Sequence, residues 1–151
     1  MRETMDDPFD LQRFVTAQEG DYARALAELR AGRKRTHWIW YVLPQLRGLG
    51  LSHYAQHYGV ASLDEARAYL AHPVLGARLR ESVQAMLDLH GVTAEQVLGG
   101  IDAMKFRSCL TLFAAAAPED PQFSAALERY FGGTRDPKTL ALLRGSGVPG
   151  A

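Results

Sequence analysis

The chain has 151 residues, enough for one domain that buries roughly 68–70% of its unfolded surface without disulfides or metals. Lysine and arginine together number 17, aspartate and glutamate also number 17, and no long block of either sign occurs. Nucleic acid and anionic membranes are therefore disfavoured as main partners, because both require clustered positive charge. The single cysteine, Cys109, excludes an internal disulfide framework.

A single helical domain is predicted over residues 9–144, since no repeat, linker or change in composition divides the chain. Residues 1–8 are predicted to be a flexible leader, and residues 145–151, which are rich in glycine, a disordered tail. The N-terminus has no signal-peptide pattern, and no apolar run approaches about 18 residues. The sequence therefore predicts a soluble, cytoplasmic protein.

In chain order, capping residues, glycines and prolines bound the predicted helices. Asp10 is predicted to cap the first helix and Asp21 the second. A short helix over residues 37–43 follows, ended by Pro44. A strand at 38–43 is the alternative, because aromatic and β-branched residues favour strands, but the chain offers no other convincing strand to pair with it.

The second half of the chain repeats these signals. The predicted helices run from Ser52 to about Tyr58, from Ser62 to about Ala71, from Pro73 to His90, from Thr93 to about Gly99, from Asp102 to Ala117, from Pro121 to about Phe131, and from Pro137 onward. The helix at about 102–117 is almost wholly apolar in its second half, which places it at the centre of the fold. The predicted class is all-α, a compact globule of about nine short helices.

Three segments carry a resemblance to a known family. They are H-W-I-W-Y-V-L-P-Q-L-R-G-L-G-L-S (37–52), E-A-R-A-Y-L-A-H-P-V-L-G-A-R-L (65–79) and D-A-M-K-F-R-S-C-L-T-L-F (102–113). Together they closely resemble the bacterial family catalogued as domain of unknown function 1810, over roughly residues 8 to 144. The resemblance implies a compact, mainly helical, cytoplasmic protein and supplies no activity. Residues 62–79 are also weakly similar to a segment of helical proteins that act on ADP-ribose derivatives.

Both tryptophans lie in the 37–52 stretch, beside several hydrogen-bond donors. A flat aromatic surface next to His37, Gln45 and an arginine suits a planar or phosphorylated ligand, and stacking on a base contributes roughly 1–3 kcal/mol. Trp38 and Gln45 are therefore candidate ligand-binding residues, with His37 as a candidate catalytic residue. In the alternative interpretation, the tryptophans are core residues whose indole N–H groups each need one acceptor.

Lys105 and Ser108 lie three residues apart on the predicted central helix. Polar groups on a mostly buried helix need partners or a cavity, and a desolvated lysine can activate a hydroxyl or hold an anion. Both are candidate catalytic residues, and Lys105 is also a candidate ligand-binding residue. The alternative is that Lys105 pairs with Asp102 at the exposed start of the helix while Ser108 bonds to the backbone.

Other polar residues give weaker signals. Arg78, two residues after Gly76 in the 73–90 helix, is a candidate anion-binding residue. His53 and His57 have the four-residue spacing of zinc sites but lack a third ligand, so no metal site is predicted. No established catalytic motif occurs, and no cofactor is predicted.

Two functional hypotheses follow from these residues. The first is a site for an anionic or nucleotide-like small molecule, with hydrolase or transferase chemistry as an extension of it. This site would lie where the 37–52 stretch meets the starts of the 73–90 and 102–117 helices, lined by His37, Gln45, Arg78, Lys105 and Ser108. The second is a non-catalytic protein-interaction module whose aromatic stretch is core or faces a partner. The sequence leaves the oligomeric state open.

Overall fold

A computed structural model describes residues 7–146, and this part of the chain is a single all-α domain of ten helices without a strand. The helices are α1 (Gln12–Glu19), α2 (Tyr22–Ala31), α3 (Ile39–Val42), α4 (His53–His57), α5 (Leu63–Ala71), α6 (Leu75–Leu87), α7 (Ala94–Leu98), α8 (Gly100–Ala116), α9 (Pro121–Phe131) and α10 (Pro137–Ser146). The predicted all-α class is confirmed, and the aromatic stretch contains a helix rather than a strand. None of the described helices is both long and apolar enough to cross a membrane.

Helix α8 is the longest element and lies at the centre of the fold, as the prediction for residues 102–117 anticipated. It packs against α3, α5, α7, α9 and α10. Phe106, Cys109, Leu110, Leu112 and Phe113 on this helix are completely buried. Burial raises the pKa of the Cys109 thiol, which keeps it protonated and unreactive.

Side-chain caps set several helix starts where the sequence predicted them. The hydroxyls of Ser52, Ser62 and Thr93 accept hydrogen bonds from backbone N–H groups in the first turns of α4, α5 and α7. Asp120 does the same for α9, whose first residue is Pro121. Each such cap stabilises a helix by about 1 kcal/mol, which explains why these boundaries can be read locally.

Several predicted helix starts were wrong. Asp21 precedes α2, but its side chain makes no capping hydrogen bond. Helix α3 begins at Ile39 rather than at residue 37, and α8 begins at Gly100, two residues before the predicted start at Asp102.

Asp10 does not cap α1. It has a φ of 53°, and the carboxylate of Asp7 instead accepts from the backbone nitrogens of Leu11 and Gln12, at 2.7 and 3.0 Å. Helix α6 begins two residues after Pro73, because His72 Nδ1 accepts from the backbone N–H groups there at 3.1 and 3.2 Å.

The chain ends are only partly described. Residues 1–6 and 147–151, which make up most of the predicted leader and tail, lie outside the described residues. Helix α10 runs to Ser146, so it extends two residues into the tail predicted to start at Gly145.

The loop after α3 is pinned to the segment before α5. The backbone N–H of Arg47 donates to Val60 O at 2.7 Å, and Val60 N–H donates to Gln45 O at 3.0 Å. Nearby, the largely buried Arg13 donates to Gly59 O and forms an ion pair with Glu65 at 2.8 Å. These bonds fix the position of Gln45.

Gly76 allows α6 to approach α5 closely, and the structure predicts a cost for any side chain there. A Cβ atom at Gly76 would lie 2.1 Å from Leu70 O, a rigid backbone atom. We expect Gly76→Ala to lower the free energy of unfolding by roughly 1–3 kcal/mol in urea denaturation, although alanine favours helix by about 1 kcal/mol. Gly20→Ala is the control, since Gly20 has a φ of −93° and open space around its Cα. Equal stabilities of the two variants would contradict this packing.

Candidate functional site

An open cleft of about 210 Å³ lies where the loop after α3 meets the N-terminal parts of α8 and α10. The residues that line it are Gln45, Leu49, Gly50, Ile101, Met104, Lys105, Ser108, Asp136 and Lys138. The four from α8 have the spacing i, i+3, i+4, i+7 and therefore share one face of that helix. The cleft thus has one helical wall that carries both apolar and polar groups.

Lys105 is the cation at the centre of this wall. Its Nζ lies 5.0 Å from the centroid of the Trp40 ring and 3.8 Å from Asp102 Oδ1. Asp102 is engaged more closely by Lys34, whose Nζ lies 2.9 Å from Asp102 Oδ2. Because Asp102 is shared, it compensates the charge of Lys105 only in part. The side chain of Lys105 is 24% exposed, so solvent can reach it.

The opposite wall of the cleft is the start of α10. The carboxylate of Asp136 accepts from the backbone nitrogen and the hydroxyl of Thr139, at 2.9 and 2.6 Å, and lies 3.6 Å from Arg107. Lys138 is exposed, and no carboxylate within residues 7–146 lies within 4 Å of it. With Asp136 engaged by these partners, Lys105 and Lys138 leave the cleft positively charged.

An aromatic cluster lies directly behind Lys105. The rings of Trp40 and Tyr54 meet edge to face with centroids 5.0 Å apart. Trp40 Nε1 is buried and has no hydrogen-bond partner in the described part of the chain. A second cavity beside these rings measures only about 10 Å³, which is too small for anything larger than a water molecule.

Ser108 lines the cleft, but its hydroxyl bonds locally. Ser108 Oγ donates to Met104 O, one helical turn earlier, at 3.2 Å. The hydroxyl makes no hydrogen bond to a histidine or carboxylate of the described residues, so none of them is placed to activate it as a nucleophile. Thr111, one turn further on, also donates to a local carbonyl, Arg107 O, at 2.8 Å, but its Oγ1 in addition accepts from Asp136 N at 2.9 Å.

Trp38 lies in the core rather than in the cleft. Its side chain is completely buried, and its Nε1 donates to Glu28 Oε1 at 2.9 Å. The same carboxylate accepts from Arg35 N at 2.8 Å, from Thr36 N at 3.1 Å and from Thr36 Oγ1 at 2.7 Å. Burial alone would raise the pKa of Glu28, but these hydrogen bonds outweigh it and lower the pKa to about 2.

Arg78 and His37 also lie outside the cleft lining. The Arg78 guanidinium stacks on the Tyr22 ring at 4.8 Å, and its Nη1 donates to Gln18 Oε1 at 3.3 Å. Arg78 thus joins α6 to α1 and α2. His37 is exposed, and its backbone carbonyl accepts a hydrogen bond from the Tyr41 hydroxyl at 3.2 Å.

The structure therefore brings together Gln45, Lys105 and Ser108, and adds residues that the sequence analysis missed. Ile101 and Met104 could have been found from their spacing relative to Lys105 on one helix face. Asp136 and Lys138 carry no such signal, because their place in the cleft depends on how α10 folds back onto α8.

The histidine pair on α4 has the geometry that its spacing implies. The His53 and His57 rings are nearly parallel, 10° apart, with centroids separated by 6.1 Å. Within residues 7–146, no group of three or more His, Cys, Asp or Glu side chains is arranged to hold a metal ion.

The fold and the cleft define a class: a small all-α protein with an open, lysine-bearing cleft beside a buried aromatic helix. The chain belongs to the family described as "Protein of unknown function (DUF1810)", which matches residues 8–143. This confirms the resemblance carried by the three sequence segments.

One solved structure is similar to this chain over nearly its whole length. It is the crystal structure of the conserved hypothetical protein Rv1873 from Mycobacterium tuberculosis, with 50% sequence identity and a TM-score of 0.90. The match covers 91% of this chain and 98% of that one. No curated protein matches the chain.

The lowered pKa of Glu28 predicts an acid-sensitive contribution to stability. The folded-state pKa of about 2 lies below the ordinary 4.5, so the stabilisation is complete above about pH 4.5 and is lost as the pH falls towards 2. This contribution of Glu28 to the free energy of unfolding is about 3 kcal/mol. We expect Glu28→Gln to be less stable than the natural chain by about this amount at pH 7, with a smaller difference near pH 2. Urea denaturation across this pH range measures the effect.

Glu119→Gln is the matched control for this prediction, because Glu119 is exposed. This control should follow the natural chain at every pH. A Glu28→Gln variant whose stability ran parallel to the natural chain from pH 7 to pH 2 would show that the Glu28 carboxylate is not specially stabilised.

Proposed function

We propose that this protein binds a small anionic ligand in the cleft lined by Gln45, Lys105 and Ser108. The observation that supports this most strongly is the charge of the cleft, where Lys105 and Lys138 face a concave surface while Asp136 is already engaged. Cations in a concave site attract anions and raise their local concentration. The Gln45 amide adds a hydrogen-bond donor at the same place.

A nucleotide-like ligand is one form of this proposal. Its phosphate would lie at Lys105 and Lys138. The rest of the molecule would extend over the apolar rim of the cleft, which Ile101 and Met104 form. A hydrolase or transferase reaction at the same site would have to use Lys105 and Ser108. The local hydrogen bond of Ser108 favours binding over catalysis. We also propose that the protein acts in the cytoplasm, with no nucleic acid or membrane as its partner.

Exposed apolar residues around the cleft favour a second candidate, a protein-interaction module. Leu51, Ile101 and Met104 are 86%, 74% and 70% exposed, and Tyr54 is 49% exposed. Clustered exposed apolar residues mark contact surfaces of either kind. The two candidates differ at Lys105, whose charge is central to anion binding and peripheral to an apolar protein interface.

The ligand proposal predicts that Lys105→Met abolishes anion binding while the fold is retained. Inorganic phosphate and AMP are the probes, and Trp40 is the reporter, because its ring lies 5.0 Å from Lys105 whereas Trp38 is completely buried. We expect saturable fluorescence changes in the natural chain and at least a tenfold loss of affinity in Lys105→Met. Trp40→Phe should remove the signal, and calorimetry should still detect binding.

Arg30→Met serves as the matched control, because the Arg30 side chain on α2 is 61% exposed and takes no part in the cleft. It should bind like the natural chain. Equal affinities of Lys105→Met and Arg30→Met, with both folded by circular dichroism, would rule out Lys105 as the anion-binding group.

A further inference from the structure

We propose that the ligand is an amphipathic anion with an aliphatic chain, its charged group at Lys105 and its chain along Met104 and Ile101. This inference rests on the proposed function and names the class of ligand within it. It depends on how charged and apolar groups alternate along the exposed face of α8.

The apolar rim is continuous with the cationic part of the cleft. Met104 precedes Lys105 directly, and Ile101 lies one helical turn before Lys105, on the same face. Both side chains line the cleft and are largely exposed, at 70% and 74%. Leu49 also lines the cleft, from the loop after α3. An apolar chain leaving an anion held at Lys105 would therefore meet apolar side chains both of α8 and of this loop.

The chemistry of the lining favours an aliphatic chain over a base. None of the nine lining residues is aromatic, so no ring lines the cleft itself for a base to stack on, and the half-exposed Tyr54 lies outside this lining. Trp40 and Tyr54 lie behind Lys105 and line the small second cavity instead. Leucine, isoleucine and methionine side chains suit flexible methylene chains, and methionine adapts its shape to irregular apolar partners.

The size of the cleft agrees with this assignment. Its volume of about 210 Å³ lies below the roughly 300–1,000 Å³ of pockets that enclose drug-sized ligands. The cleft can therefore hold an anionic group and the first carbons of a chain. The remaining carbons would lie over the exposed rim, where Leu51 follows Gly50.

The test is a series of straight-chain carboxylates, butanoate, hexanoate and octanoate, below their micelle concentrations, beside phosphate and AMP. Binding is followed by Trp40 fluorescence and by calorimetry. We expect the affinity to rise roughly two- to fourfold for each added methylene, as expected when methylenes leave water. Octanoate should also bind more tightly than AMP. The Lys105→Met variant should bind neither the carboxylates nor phosphate.

Substitutions at two exposed residues test the role of the aliphatic chain separately from that of the charged group of the ligand. The double variant Ile101→Gln with Met104→Gln should abolish the dependence of affinity on the length of the carboxylate, so that octanoate binds no more tightly than butanoate. Val74→Gln is the matched control, because Val74 is an exposed apolar residue outside the cleft lining. The affinity of Val74→Gln for the carboxylates should rise with their length as it does in the natural protein.

Each other outcome overturns the proposal in an identifiable way. Phosphate binding without any chain-length dependence, or tighter binding of AMP than of octanoate, would refute the aliphatic ligand and leave the proposed function intact. Failure of every anion to bind would refute both. If the affinity of the double variant still rose with the length of the carboxylate, the aliphatic chain of the ligand would lie somewhere other than along Ile101 and Met104. If the ligand-free double variant sedimented more slowly than the natural protein, Ile101 and Met104 would instead form a contact between two copies of the protein.

Discussion

The buried carboxylate of Glu28 determines the path of the chain from α2 into the aromatic helix. It accepts hydrogen bonds from two backbone nitrogens, one hydroxyl and one indole nitrogen, all within eleven residues of sequence. A buried charge is costly unless such donors surround it, and no lysine or arginine within residues 7–146 lies within 4 Å of this carboxylate. Thr36 and Trp38 are therefore bound to the end of α2. Trp40 follows two residues later, so the position of the ring beside Lys105 depends on this carboxylate.

The two halves of helix α8 differ in their surroundings, and the pattern of apolar and polar residues differs between them. From Ser108 to Ala114 every residue is buried, and this half holds the core together. In the first two turns, Ile101 and Met104 project into solvent beside Lys105. A helix that served only the core would place polar residues at these exposed positions, as amphipathic helices do. The departure from this pattern is confined to the part of α8 that forms the cleft.

Local signals predicted most of the fold, and only part of the site. Hydroxyl caps such as Ser52 and Thr93 act within three residues, so their effect is visible in the sequence. Asp10 failed as a cap because the choice between two nearby aspartates depends on the turn geometry before α1. Arg78 and Lys105 are both predicted ligand-binding residues, but the packing of α6 directs Arg78 towards Tyr22 and Gln18. Which helix faces meet is a tertiary property that periodicity does not encode.

The surroundings of Lys105 argue for a role as a fixed positive charge rather than as a participant in proton transfer. The face of the Trp40 ring and the carboxylate of Asp102 both attract an ammonium group. Ser108, the nearest hydroxyl along the helix, already donates to Met104 O, so its proton is not directed at Lys105. Catalysis by this pair would require both groups to leave their present partners. Holding an anion requires only that the ammonium group of Lys105 be accessible to solvent, and its side chain is 24% exposed.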